Sequence, residues 1–240
     1  MRPGEDSREH DPLHLLSIVV PVGPGDRSWL PLQAILREHA AAADVRFIFA
    51  DRDEAAAVAA TQAGLTVAVA PAGRAQQQNA GAFASQRPWL WFLHADSRPD
   101  AEVFCALRRF VAHGTPALGW FRLRFGAQSA PGIEPRLLRR MRLNAAGANW
   151  RSRRLGLPFG DQGLVLPAGA FERLGGFDTR LAYGEDFALV CRARRQGLPL
   201  RELPAYLDTS ARKYAERGWW RTTARHLGLT ATLAWQEWRR

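Results

Sequence analysis

The stretch "WFLHADSRPD", Trp91 to Asp100, carries most of the fold in its pattern. Together with Trp89 and Leu90, Trp91-Phe92-Leu93 forms a short apolar run, the mark of a buried strand. The run stops at His94-Ala95-Asp96 and the chain turns polar at once. In open α/β sheets ligands lie outside the carboxyl ends of the strands, so an acid at this exit points to a metal or phosphate site. The competing reading is that Asp96 caps a helix beginning near Pro99, a position that favours Asp, Asn, Ser and Thr.

Working outward toward the N-terminus, Ser17-Ile18-Val19-Val20-Pro21-Val22 is a β-branched run closed by Gly23-Pro24-Gly25, which predicts a first buried strand meeting a loop. Helical spacing follows from Trp29 to Ala42. A second strand is expected from Val45 to Ala50, ending on Asp51, then an Ala-rich helix over about 54–63 and a third strand from Leu65 to Ala70. A helix around 75–86 leads into the Trp89–Leu93 strand. Strands and helices alternating at this spacing predict βαβ units and a mostly parallel, Rossmann-like sheet with helices on both faces, a three-layer α/β/α sandwich. Asp51 and Asp96 then fall at strand ends facing one crevice.

Beyond Asp100 the rhythm changes. A helix to about His113 precedes Ala117 to Phe125, whose alternation suits an edge or half-exposed strand. An Arg-rich helix is expected over roughly 135–153, then "LPFGDQGLVLPAGAFERLGGFD", a helix from about Glu185 to Gln196, a short strand near Leu198 to Leu203, and a Trp-rich amphipathic helix over about 217–238. No repeat or low-complexity linker divides the chain. The organisation expected is a tail over 1–14 and one domain over 15–240, with a nucleotide-binding half at about 15–115 and an acceptor-binding half at about 116–215.

Composition narrows the partners. Hydrophobic residues make up 47% of 240, enough for a sizeable core. The formal net charge is +10, and all of the basic residues but Lys213 are arginine, spread along the chain. Arginine forks suit phosphate, so anionic ligands are favoured, whether nucleotide sugar, nucleic acid or anionic lipid. No nucleic-acid motif is present, and nucleic acid is not expected as a partner. Cys105 and Cys191 belong to no CxxC or Cys/His cluster and are expected to be buried free thiols. Residues 1–14 lack the apolar core of a signal peptide, and no apolar segment approaches the ~20 residues of a membrane span. A cytoplasmic location is expected, with the last helix suited to peripheral contact with the inner face of a membrane.

Five segments in order, "SIVVPV", "GRAQQQNAGA", "FLHADS", "GDQGLVLPAGAFERLGGFD" and "GEDFALVCRARRQG", resemble the family 2 glycosyltransferases of GT-A fold. Within them the chain looks most like a small bacterial branch with a His-Ala-Asp version of the metal motif. The resemblance runs from about Ser17 to about Trp220. It implies that Asp96 holds Mg²⁺ or Mn²⁺ against the diphosphate of a nucleotide-sugar donor, oxygen ligation of a kind both ions favour. His94 stands where many relatives have a first Asp. On the donor side the resemblance places Pro21, Asp51, Arg74, Asn79 and Arg212; Asp53 is an alternative to Asp51, because the usual Asp-Gly-Ser-x-Asp-Gly loop is replaced by "ADRDEAA".

The acceptor side, by the same resemblance, has Asp161 and Gln162 hydrogen-bonding hydroxyls. Asp186, beside Glu185 at a helix start, is the general base, since inverting transfer needs a carboxylate to take the acceptor's proton. Gly175-Gly176 reads as a helix stop, with no catalytic role for Phe177 or Asp178. The function expected is transfer of a sugar, with inversion, from a nucleoside diphosphate donor, UDP-linked by preference, to an acceptor hydroxyl, assisted by a divalent metal. The rivals are a degenerate domain of the same fold that binds without turnover, and a nucleotidyltransferase. The acceptor and the oligomeric state are not legible.

Overall fold

The computed structural model describes residues 11–126 and 135–209. One seven-stranded sheet carries the chain, with β1 (Leu16–Val22), β2 (Asp44–Ala50), β3 (Thr66–Ala70), β4 (Trp89–Phe92), β5 (Leu118–Arg124), β6 (Leu164–Pro167) and β7 (Leu200–Asp208). Their spatial order is β3-β2-β1-β4-β6-β5-β7. All neighbours are parallel except around β6, which is antiparallel to both β4 and β5. Because β6 reverses direction between them, β4 and β5 point the same way, and the carboxyl ends of β1, β2, β4, β5 and β7 share one edge of the sheet.

β1 is buried at every position, as a central parallel strand flanked by helices on both faces must be. Its side chains alternate between two cores. Ile18, Val20 and Val22 pack with Phe47, Phe49, Trp91 and the helices α1 (Trp29–His39), α2 (Glu54–Gln62) and α4 (Ala101–His113). Val19 packs with Ile48, Leu90, Phe92, Leu164 and Leu166 on the opposite face, under α3 (Arg74–Phe83), α6 (Ala168–Arg173) and α7 (Glu185–Arg195). A separate small core of Leu123, Phe125, Met141 and Ala145 seats α5 (Pro135–Leu155) on β5.

Several expectations need correction. The strand after α4 is not at an edge: β5 lies between β6 and β7, and β7, expected to be short, runs nine residues along the outside. The four-residue β6, which the sequence pattern does not announce, supplies the antiparallel element. The cysteines are not buried: Cys105 is exposed and Cys191 half-buried. Cys105 sits between the buried Phe104 and Ala106, where the helical period turns it outward. Two of the three glutamines of α3 are interior, Gln77 and Gln78 each being 2% exposed. Gln77 Nε2 donates to the carbonyls of Val22 and Ile48, both at 2.7 Å, tying α3 to the exits of β1 and β2.

Glycines fix two of the contacts that matter below. Gly81 lies so close to the sheet that a Cβ would stand 2.5 Å from Val19 Cγ1, so its close approach serves α3 packing. Gly175 and Gly176, at φ +79° and +65°, end α6 in the left-handed region, where a glycine avoids the Cβ clash. Among the described residues no helix is long and apolar enough to cross a membrane. The expected helix over 217–238, with Arg212 and Lys213, lies outside the described residues.

Candidate active site

Four backbone features converge at the carboxyl edge of the sheet: the turn after β4, the turn before β6, and the N-termini of α3 and α7. Neither helix has a side-chain cap, their N-cap residues being Gly73 and Gly184. The first turn of α3 therefore leaves its N–H groups uncapped, whereas at α7 the Glu185 and Asp186 carboxylates take up N–H groups of their own helix start; the helix dipole favours negative charge at both ends.

Arg74, the first residue of α3, links the pieces. Its Nε lies 3.1 Å from Glu185 Oε1 and its Nη1 3.2 Å from His94 Nε2. The Glu185 contact is a charge pair without the alignment of a hydrogen bond. Glu185 is 4% exposed, whereas the Arg74 side chain is 41% exposed and reaches outward. Burial raises the Glu185 pKa above the usual carboxylate range; the neighbouring Asp186 adds to the rise and Arg74 opposes it.

Asp186 is held by main chain. Its Oδ2 accepts from Gly160 N at 2.5 Å and its Oδ1 from Phe187 N at 2.8 Å. The first of these bonds crosses from α7 to the turn before β6, and Gly160 makes it possible: a Cβ there would stand 2.8 Å from Asp186 Oδ2 and 3.1 Å from His94 Nε2. The fit of Gly160 between these two side chains shows how closely the His-Ala-Asp turn and the Glu-Asp pair approach.

Asp161 follows Gly160 directly. Its Oδ1 is shielded from solvent and has no hydrogen-bond partner among the described residues. Burial pushes its pKa up from 3.8 to about 6; Arg151 pulls it down, Asp186 and Asp96 push it up, and Arg74 pulls it down. Arg151, which the sequence did not single out among the arginines of α5, stacks 3.8 Å from the Phe159 ring centroid and donates to Leu157 O. No local signal distinguishes it from Arg153 or Arg154; the partner is a ring eight positions away, brought back by the fold.

Asp96 is half-buried in the turn after β4 and carries no hydrogen bond among the described residues. It is not the helix cap: that place belongs to Asp100, whose Oδ1 accepts from Val103 N at 3.1 Å. Arg98 supports the turn instead, donating to Ala95 O, Ser97 O and Ser28 O, while its own N–H donates to Asp208 O at 2.8 Å. Burial lowers the Arg98 pKa, opposed by the charges of Asp96 and Asp26.

The remaining expected residues lie elsewhere. Gln162 is fully buried: its Oε1 accepts from Ser152 Oγ at 2.6 Å and Phe159 N at 3.2 Å, and its Nε2 donates to Phe121 O at 3.1 Å. Its amide is committed to the interior rather than offered to hydroxyls. Asn79 exchanges two hydrogen bonds with the backbone of Phe177, at 2.8 and 2.9 Å, pinning α3 to the glycine turn after α6. Pro21 is buried in β1 opposite Ile48, beyond the last residue that pairs with β4, where its lack of an N–H breaks no ladder. Asp51 is exposed at the end of β2, and Asp53 Oδ2 instead accepts from Gly25 N at 3.0 Å, joining the loops after β2 and β1. The chain thus brings Arg74, His94, Asp96, Asp161, Glu185 and Asp186 together, and sets Asn79, Gln162 and Pro21 to structural work.

Among the described residues no three His, Cys, Asp or Glu side chains gather as a ready metal site. Mg²⁺ sites, however, commonly use one or two carboxylates, with water and substrate phosphate completing the shell. A half-buried carboxylate that carries no hydrogen bond among the described residues, as at Asp96, fits that mode; it does not fit a closed protein cage.

No family model and no curated protein matches the sequence. Solved structures do match in shape. The structure of S. aureus TarS 1-349 in complex with UDP-GlcNAc superposes with a TM-score of 0.60 at 12% identity, over 81% of this chain and 58% of that one. The fold is GT-A-like. TarS 1-349 by itself gives a TM-score of 0.55 at 11% identity, over 81% and 60% of the two chains, and the longer S. aureus TarS structure 0.54 at 10%, over 82% and 37%. The chain therefore spans less than two thirds of the length of these TarS structures, and the likeness is one of glycosyltransferase-like fold.

Proposed function

We propose that the protein is an inverting glycosyltransferase that moves a sugar from a nucleoside diphosphate sugar, UDP-linked by preference, to an acceptor hydroxyl. The observation that carries this reading is the convergence of Arg74, Asp96, Asp161, Glu185 and Asp186 at the carboxyl edge of a GT-A-like sheet. The similarity in fold to TarS, solved with UDP-GlcNAc, supports a nucleotide-sugar donor.

In this mechanism Asp186 takes the proton of the acceptor hydroxyl as its oxygen attacks the anomeric carbon. Two backbone N–H groups orient its carboxylate, so little reorganisation is needed when the acceptor arrives. Glu185 holds Arg74 by charge, and the exposed part of Arg74, beside the free N–H groups of α3, receives the donor phosphates. Asp96 is the residue that would hold a divalent ion, Mg²⁺ or Mn²⁺, which when bound neutralises charge on the leaving diphosphate. Asp51, exposed at the end of β2, contacts the nucleoside. A cytoplasmic location and a peripheral membrane contact through residues 217–238 belong to the same proposal and rest on sequence pattern.

The deciding experiment measures transfer and donor hydrolysis across UDP-sugars for the natural chain and for Asp186→Asn. The variant is expected to lose at least about 100-fold in turnover, the scale of general-base catalysis, while binding UDP as before. Turnover retained in Asp186→Asn removes the base assignment. UDP binding with no turnover in the natural chain, whatever the acceptor, favours the degenerate binding domain, which is the second reading the altered His-Ala-Asp turn supports.

A further inference from the structure

Between them α5, β5 and β7 enclose an open cleft of about 470 Å³, the size of a small-molecule site. Among the described residues its charged lining is entirely arginine, Arg122, Arg124, Arg142, Arg153 and Arg154, with no acid. The nearby carboxylates do not balance them. Glu202 is shared, accepting from Arg122 at 2.7 Å and from Arg153 at 2.8 Å, and Arg124 pairs with Asp208 and Asp100. Arg142 and Arg154 have neither a hydrogen bond nor an ion pair among the described residues.

The rest of the lining is apolar and aromatic. Trp150 is 60% exposed, and Tyr206 has the guanidinium carbons of Arg122 and Arg124 each 5.6 Å from its ring centroid. An exposed indole beside unpaired guanidinium forks recognises two things at once: a multiply charged oxyanion, which can take several forks, and a flat or apolar group next to it. The walls are fixed, because Asn149 exchanges hydrogen bonds of 2.8 and 3.0 Å with the backbone of Leu123.

The cleft is linked to the candidate active site indirectly, by two routes. The next turn of α5 serves that site: Ser152 holds Gln162, and Arg151 covers Phe159 beside Asp161. Arg124, at the rim, binds Asp208, whose carbonyl accepts from Arg98 in the turn that bears Asp96.

We propose that this cleft binds the phosphate of a phosphate-ester acceptor, so that the acceptor class is a phosphorylated molecule with a ring or apolar portion beside the phosphate. The word acceptor rests on the transferase reading above; the phosphate rests on the cleft's own side chains. The probe is phenyl phosphate, titrated calorimetrically at low salt into the full chain with and without UDP and Mn²⁺, and into Arg142→Ala/Arg154→Ala and Trp150→Ala. Phenyl phosphate is expected to bind with UDP present and more tightly than inorganic phosphate, and to weaken about tenfold or more in the double-arginine variant, the scale of a lost charge-assisted contact. UDP binding is expected to stay unchanged in both variants. Absence of binding, displacement by UDP, or binding indifferent to Arg142 and Arg154 overturns the proposal. Arginine-dependent phenyl phosphate binding in a chain that does not bind UDP supports the phosphate site and overturns the transferase reading instead.

Discussion

Two turns meet at the candidate active site, residues 94–98 after β4 and residues 160–163 before β6, and they treat their aspartates in opposite ways. In the first, Arg98 satisfies the surrounding carbonyls and leaves Asp96 without an internal hydrogen bond, half-exposed toward the crevice. In the second, Gln162 and Gly160 take up the polar partners, and the Asp161 carboxyl is enclosed with one oxygen unsatisfied. The residue type and the edge of the sheet are the same. What differs is which neighbour consumes the hydrogen-bonding capacity of the turn, and that leaves one aspartate half-exposed without a hydrogen bond among the described residues and the other enclosed, its pKa pushed up to about 6.

The largest effect is expected from breaking the second turn. Gln162→Leu removes the partner of Phe159 N and the amide donor to Phe121 O in the interior, while Ser152 Oγ keeps Ala148 O, and should cost about 3 kcal/mol of stability, read by chemical denaturation. A cost under about 1 kcal/mol would mean that the turn is not held by this amide. Next comes the titration of Asp161. Its folded-state pKa is raised from 3.8 to about 6, so between those values the folded chain binds more protons than the unfolded one, and its contribution to stability declines as pH rises through that window. Relative to Asp161→Asn, the natural chain should lose up to roughly 3 kcal/mol between pH 4 and pH 7. Parallel melting curves for the two chains across that range would sink the assignment. Smallest in stability is Asp96→Ala, expected within about 0.5 kcal/mol because no internal bond is lost. The same variant should abolish any dependence of UDP binding on Mn²⁺, and a dependence that persists would place the ion elsewhere.

Much of the sheet was legible because its evidence is local. The apolar runs around Ile18, Phe47 and Trp91 alternate with helical spacing, and each predicts its element without reference to the others. β6 was not legible: Leu164 to Pro167 is four residues long, runs without a gap into α6, and owes its antiparallel direction to where the chain returns. β5 misled for a related reason. Its outward Arg122 and Arg124 suggest an edge, yet they face the cleft under α5 and the strand itself is interior.

The site shows the same division. Asp96, Arg74 and the Glu185-Asp186 pair could be placed because strand ends and helix starts fix their neighbourhood. The tasks of Gln162 and Asn79 could not, because each depends on backbone groups far away in sequence: Asn79 on Phe177, and Gln162 partly on Phe121. The enclosure of Asp161 likewise depends on which turn comes to lie over it.

Arg98 draws its hydrogen bonds from the loop that enters α1, from its own turn and from the last residue of β7. Those three segments are thereby coupled mechanically, although β7 lies three places from β4 in the sheet, beyond β6 and β5. A load applied at Asp96 would be shared by the first and last strands of the described chain, so the stiffness of this corner belongs to the whole sheet and not to a single turn.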